Sequence, residues 1–311
     1  MSLNKIKISI VKILLPVLYN FFKILRANNR VINFLKDKLS KANDYYNFEK
    51  SIKNLLENKK LIALDVGSQG GFNSDTFFSK KYNKFFFPIL VDPLNEKDRK
   101  NSNQYIDKGL WSSKEKKKLH ILGKRPGSSS MYEPDLKSLE VYGIKKKDFH
   151  LFDVTKTIMV ECETIDSSLK SLNMNSLDYL KIDTQGAELE ILKGLGKYYP
   201  LMIKCEVQVY PMYKNIPSWT ELLNHLNKLN YMLCDWKVIG SHVTRSPVEM
   251  DMVFIPDFSK PNGQKIILDR QKEFVSLMLI CGQLRLLNKI SESLSLKYSE
   301  YHKNINDKFF D

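Results

Sequence analysis

From residue 61 onward, short uninterrupted apolar runs alternate with stretches of helical spacing. The runs LIALDV (61–66), FFFPILVD (85–92), QYIDKGLW (104–111), LDYLKID (177–183) and LMIKCEV (201–207) read as buried strands. YMLCDWKV (231–238) and DMVFI (251–255) add two more. Pro88 implies a late start for the second run, because proline cannot donate to a strand ladder. Helical segments over 73–81, 186–194 and 217–229 lie between several of these runs. The alternation predicts an α/β fold: a mostly parallel sheet with helices on both faces. Two regions break the pattern. KKLHIL (117–122) and TIMVECETI (157–165) read as paired strands with a polar loop between them. Over 264–305, Phe274, Leu277, Met278, Cys281, Leu284 and Leu287 recur at helical spacing, which predicts a C-terminal helical appendage. FEKSIKNLLENKK (48–60) reads as a surface helix, with Phe48, Ile52, Leu55 and Leu56 on one face.

Charge divides the chain differently. The net charge is +14, yet residues 1–60 hold 13 Lys/Arg against 4 Asp/Glu, while the other 251 residues hold 36 against 31. The excess belongs to an N-terminal arm (1–58), ahead of a body (59–260) and a C-terminal extension (261–311). A nucleic-acid enzyme would carry its basic stripe on the body, so no nucleic-acid partner is expected. In the arm, ISIVKILLPVLYNFFKIL (8–25) carries Lys12 and Lys23, and the run between them is shorter than the roughly 20 residues of a membrane-spanning helix. It also lacks the small-residue cleavage site of a signal peptide. Two readings fit the arm: a helix packed on the body or on another subunit, or a basic amphipathic helix lying on a membrane surface through residues 1–30. Four separated cysteines (Cys162, Cys205, Cys234, Cys281) read as buried thiols of a cytoplasmic protein, peripheral at the inner membrane surface if the arm lies there. Five histidines without metal-ligand spacing predict no metal site.

Candidate chemistry begins at LDVGSQGGF (64–72), which follows the first strand. In an open α/β sheet, ligands bind at the carboxyl ends of strands near the switch in strand order, and Gly67, Ser68, Gln69, Gly70 and Gly71 fall there. The spacing is neither G-x-G-x-x-G nor a P-loop. Asp65, two residues before Gly67, would repel a pyrophosphate. A cationic, phosphate-free nucleoside suits the turn better, and S-adenosylmethionine is one; Asp65 would meet its ammonium directly or through water. Asp92 ends the second strand, where a carboxylate can accept both ribose hydroxyls.

YLKIDTQGAELEILKG (179–194) has two readings. Asp183 as helix N-cap, Glu188 in the first turn, a Glu190–Lys193 pair and Gly194 at the helix end make a complete structural account. Alternatively, Asp183 stands at the same sheet edge as Asp65 and Asp92 and belongs to an active site. With LDVGSQGGF, VDP (91–93), GSSSM (127–131), VECETIDSSL (160–169) and LDYLKIDTQGAELEILKG (177–194), the chain resembles the FkbM family of S-adenosylmethionine-dependent methyltransferases over roughly residues 60–255. The resemblance implies a seven-stranded Rossmann-like methyltransferase fold and methylation of a hydroxyl on a sugar, glycan or related natural product. It also implies cofactor contacts by Asp65, Gly67, Gly70 and Asp92, with Asp183 and Glu188 at the reaction end. It says nothing about the arm or the C-terminal helices.

An unactivated alcohol is a poor nucleophile, so a general base is expected. Asp183 is the first candidate. Glu206 is the second, with pairing to Lys181 or Lys204 as its structural alternative. His150 and His242 are lesser candidates. Asp183 and Glu188 are suitable metal ligands, but no third ligand stands out and none is predicted. The loop GKRPGSSSMYEP (123–134) reads as an acceptor-covering segment supplying hydroxyls and Arg125, or as a solvent loop. Tyr210, Tyr213 and Trp219 would stack on a sugar or roof the core. The competing functional reading is a non-catalytic scaffold that uses its basic arm to reach membranes or partners.

Overall fold

The apolar runs form ten strands in the computed structural model: β1 (Leu61–Val66), β2 (Phe86–Val91), β3 (Tyr105–Ile106), β4 (Gly109–Leu110), β5 (Glu115–Leu122), β6 (Val154–Glu163), β7 (Tyr179–Ile182), β8 (Met202–Gln208), β9 (Tyr231–Ile239) and β10 (Glu249–Pro256). The structure describes residues 47–94, 104–239 and 247–298, together with Leu14, Val17, Leu18, Asn20 and Phe21. The rest of the expected basic arm lies outside the described residues; Leu14, Val17, Leu18 and Phe21 are helical and exposed. The chain divides into two units, one of residues 61–74 and 86–266, the other of residues 1–60, 75–85 and 267–311.

The first of these holds a seven-stranded sheet of order β3-β2-β1-β7-β8-β10-β9, parallel except at β10, which runs against both of its neighbours. A smaller sheet orders β4-β6-β5; β5 and β6 pair, as the sequence predicts, and run antiparallel. Leu64, Ile89, Leu180, Ile182, Ile203 and Cys205 are fully buried at the middle of the main sheet. Leu189, Ile191 and Leu192 of helix Glu188–Lys193 join the same core, as do Leu222 and Leu226 of helix Trp219–Lys228. The latter helix starts in a capping box, with Ser218 and Glu221 each satisfying the other's backbone N–H.

Three sequence expectations shift. No α-helix occupies 73–81: Asn73 and Thr76 adopt positive φ (55° and 56°), which breaks a right-handed helix, and only a 3₁₀ turn forms at Lys80–Phe85. The run 104–111 splits, β3 joining the main sheet and β4 pairing with β6 in the small one. The second strand runs through Pro88 rather than starting after it, because β3 reaches only Leu90 and Val91 and leaves Pro88 without a second ladder.

In the other unit, helix α1 (Glu49–Leu56) packs on a C-terminal helix, Gln271–Ile280, in which Phe274 to Ile280 are buried all round. Helices Pro261–Asp269 and Leu284–Leu294 flank it in sequence. No helix of the described residues is long and apolar enough to cross a membrane.

One face of the main sheet carries a buried charged lane. Register sets Asp65 beside Lys181 and Lys181 beside Lys204. Lys181 Nζ lies 3.1 Å from Asp65, and Lys204 Nζ lies 2.7 Å from Asp251. Removing one member of such a buried pair leaves an uncompensated charge, a loss of about 3–5 kcal/mol. Lys181→Met should therefore lower stability by about that amount in urea titrations, and adding Asp65→Asn should recover part of the loss.

Candidate active site

The strand order reverses direction between β1 and β7, and the two strands end side by side at Val66 and Ile182. Gly67 N donates to Val91 O (2.9 Å), while Asp183 N donates to Val66 O (3.0 Å). The chains come so close that a Cβ on Gly67, whose φ is +76°, would sit 1.8 Å from the Asp183 carbonyl oxygen. Only glycine permits this approach. At Gly71, also at positive φ (+86°), a Cβ would meet nothing within 4 Å among the described residues, so the turn opens on space there. Ser68 is fully buried, and its Oγ has no hydrogen-bond partner among the described residues. Gln69 extends to the loop after β5, where its Oε1 lies against Gly127.

The acids around this turn differ in setting. Asp65 lies beneath it, 1 % exposed, paired with Lys181 and accepting a 3.4 Å bond from Asn73 N. Asp92 follows β2, half-buried, and its Oδ1 accepts from Leu94 N at 2.8 Å. Tyr105 OH donates to the Asp92 carbonyl. Asp183 follows β7 with its side chain 29 % exposed.

Asp183 is not a helix N-cap. The helix begins at Glu188, behind Ala187, which contributes no side-chain cap. Glu188 instead is buried, and its Oε1 accepts from Thr184 N (3.0 Å), Thr184 Oγ1 (3.0 Å) and Gly186 N (3.1 Å). Burial raises its pKa, against the lowering effect of these donors. Glu188 thus holds the Thr184–Gly186 turn in shape, and that turn presents Gln185 at φ +60°. Glu190 pairs with Lys193 at 2.6 Å and Gly194 ends the helix.

Gln185 joins the candidates. Its Nε2 donates to Asp183 Oδ1 (3.2 Å) and to Glu206 Oε1 (3.4 Å). Its backbone carbonyl accepts from Ser130 Oγ (2.7 Å). The Tyr213 hydroxyl, buried, donates to Ser128 O at 2.6 Å and lies 3.2 Å from Gln185 Oε1. The hydroxyls of Ser129 and Ser130 therefore pin the loop, Ser129 Oγ accepting from Leu122 N and Ser130 Oγ donating to Gln185 O. Arg125 stacks its guanidinium 4.5 Å from the Phe152 ring centre.

Glu206 has neither of the lysine partners its sequence neighbourhood offered, because Lys181 and Lys204 are engaged by Asp65 and Asp251. Burial pushes its carboxyl up to about 8, helped by the negative charges of Asp183 and Glu249. Glu249, at the start of β10, is pushed up to about 7 by burial and Asp183, with Arg125 opposing. The sequence reading missed Glu249 and Gln185. Glu249 lies on the antiparallel strand, out of linear reach of the motifs; its only sequence signal is the alternation of Glu249 and Asp251 with Val248, Met250 and Met252. His150 is exposed, 2.8 Å from the Lys147 carbonyl, and His242 lies outside the described residues. Tyr210 is exposed, whereas Trp219 packs partly buried against the core. No group of three acidic, His or Cys side chains among the described residues is placed to hold a metal ion.

The sequence model described as the methyltransferase FkbM domain matches residues 27–233, about two-thirds of the chain. The chain belongs to the FkbM methyltransferase family. No curated protein matches it. In this chain the glycine turn, Asp92 and Asp183 follow directly on β1, β2 and β7, at one rim of the sheet.

Glu206 and Glu249 bind protons more tightly folded than unfolded, where such carboxyls titrate near 4.5. The stability gained from these protons is full below about pH 4.5 and is lost as pH rises through about 7 to 8. Glu206→Gln removes one ionisation while keeping the shape. Its Tm should match wild type near pH ~5 and exceed it near pH ~9; a difference independent of pH in calorimetry would contradict the shared burial of these protons.

Proposed function

We propose that the chain is an S-adenosylmethionine-dependent O-methyltransferase whose acceptor is a hydroxyl of a sugar, a glycan or a related natural product. The supporting observation is the meeting of Asp183 and Glu206 on Gln185, with Glu249 near enough to act on Glu206 electrostatically, next to an open glycine turn at the switch in strand order. The turn fits the methyl donor. Gly71 leaves the space beside its backbone open, and Ser68 Oγ is a buried group without a partner among the described residues. Gly67 to Gly71 would cradle the donor, and Asp92 would take its ribose hydroxyls. When bound, S-adenosylmethionine supplies an electrophilic methyl group on a cationic sulfur.

The remaining work falls to the chain's own side chains. Asp183 is the partly open carboxylate and accepts a hydrogen bond from the acceptor hydroxyl. Gln185, fixed by Ser130 and Tyr213, holds Asp183 and Glu206 in one constellation. The proton released as the oxygen is alkylated passes to Asp183 or to the ionised form of Glu206, which with a pKa raised to about 8 is a stronger base than an ordinary carboxylate. Glu188 supports this set by shaping the turn that carries Gln185. The buried Asp65–Lys181 pair holds the turn from below, and Asp65 meets the donor only through the turn above it.

Asp92→Ala should weaken S-adenosylmethionine binding in calorimetry by about tenfold or more, the loss expected for a hydrogen-bonded charged group. Asp183→Asn should keep that binding while reducing transfer of labelled methyl to acceptor by about 10²–10⁴-fold. Transfer by wild type should rise with pH toward about 8, following Glu206. Undiminished turnover in Asp183→Asn would remove it from the mechanism, and absence of any heat with the donor would favour the scaffold reading.

A further inference from the structure

The other unit contains a cavity of its own. A cleft of about 490 Å³ lies between helix α1 and the 3₁₀ turn Lys80–Phe85. Among the described residues its rim carries Lys50, Lys53, Lys59, Lys60 and Lys84 against a single acid, Glu49. We propose that this cleft is a binding site for a phosphate-bearing ligand, one that presents two or more negative charges.

The local structure explains how the lysines converge. Lys50 and Lys53 lie one turn apart on the same face of α1, with Leu56 one turn further. The helix then ends in two left-handed residues, Glu57 (φ 50°) and Asn58 (φ 71°), and the reversal brings Lys59 and Lys60 to the same cleft. Glu57, the other nearby acid, is drawn off by Lys272 and does not line the cavity. Across the cleft, Lys84 binds Glu49 and so consumes its one carboxylate, while Lys60 Nζ is anchored on the Lys84 carbonyl. Lys50, Lys53 and Lys59 make no ion pair among the described residues. Leu56, 3 % exposed, and Phe85 supply an apolar floor, which strengthens charge interactions above it.

Like charges focused in a concave site repel one another and raise the local concentration of anions. A singly charged carboxylate would leave most of the lysine charge unanswered. A phosphomonoester or pyrophosphate answers it, and lysine serves such groups as a compact point charge. The volume falls within the roughly 300–1,000 Å³ of small-molecule sites, so the phosphate can carry an attached group. This inference is independent of the methyl-transfer reading. The phosphate has two conceivable sources, a soluble ligand and a lipid headgroup.

The test uses the full chain in two arms: calorimetric titration with sodium pyrophosphate, and co-sedimentation with phosphatidylcholine vesicles doped with phosphatidic acid. Saturable binding in the first arm identifies a soluble ligand, and binding only in the second identifies a lipid headgroup. In either case Lys53→Gln/Lys59→Gln should weaken it by about tenfold or more per lysine removed, the scale of a lost charged hydrogen bond. Both lysines are exposed, and far-UV circular dichroism verifies that the variant is folded. The control Lys116→Gln/Lys146→Gln removes the same charge from exposed lysines outside the cleft and should bind as wild type does. No binding in either arm, binding unchanged in the cleft variant, or an equal loss in the control overturns the proposal.

Discussion

The buried contact between Asp65 and Lys181 constrains everything built above it. It joins neighbouring strands at the point where the sheet order turns, 3.1 Å between charged atoms, with both side chains almost wholly removed from water. Two charges taken from water gain little net stability from each other, but neither tolerates the loss of its partner. The pair therefore fixes register more than it adds free energy. With register fixed, Val66 and Ile182 end together, Gly67 crosses over the Asp183 carbonyl, and the glycine turn has one path open to it.

The same economy explains why Glu206 carries a raised pKa. The lysines on its face of the sheet are both committed, Lys181 to Asp65 and Lys204 to Asp251. Glu206 is left among Asp183, Glu249 and Asp251, with the neutral amide of Gln185 as its hydrogen-bond donor. Burial and like charge act in one direction there, and the result is a carboxyl that keeps its proton near neutrality. A purely structural site would be more stable with a lysine facing Glu206, and a carboxyl raised in this way is the kind of group that marks a functional site.

The chain also separates its tasks. The acids that meet at the sheet rim belong to the 61–74 and 86–266 unit, while the lysine-lined cleft belongs to the unit that includes α1 and the turn 80–85. The charge asymmetry seen along the sequence thus has a local counterpart: α1 and the residues after it contribute four lysines to one cavity.

Continuous apolar runs determined most of the sheet, because a strand buried on both faces has no alternative to an apolar sequence. Glycine spacing and the acids at strand ends marked the rim for the same reason: close backbone approach and charge at the end of a buried strand leave traces in residue type. Residues 73–81 misled, since left-handed backbone at Asn73 and Thr76 is not written in an otherwise helical spacing. Only the tertiary structure decided which lysine pairs with which acid, turned Glu188 inward to hold a loop, and brought Glu249 of an antiparallel strand beside Glu206. Such pairings depend on register between strands far apart in the chain, and a linear pattern specifies the faces of a strand but not its neighbours.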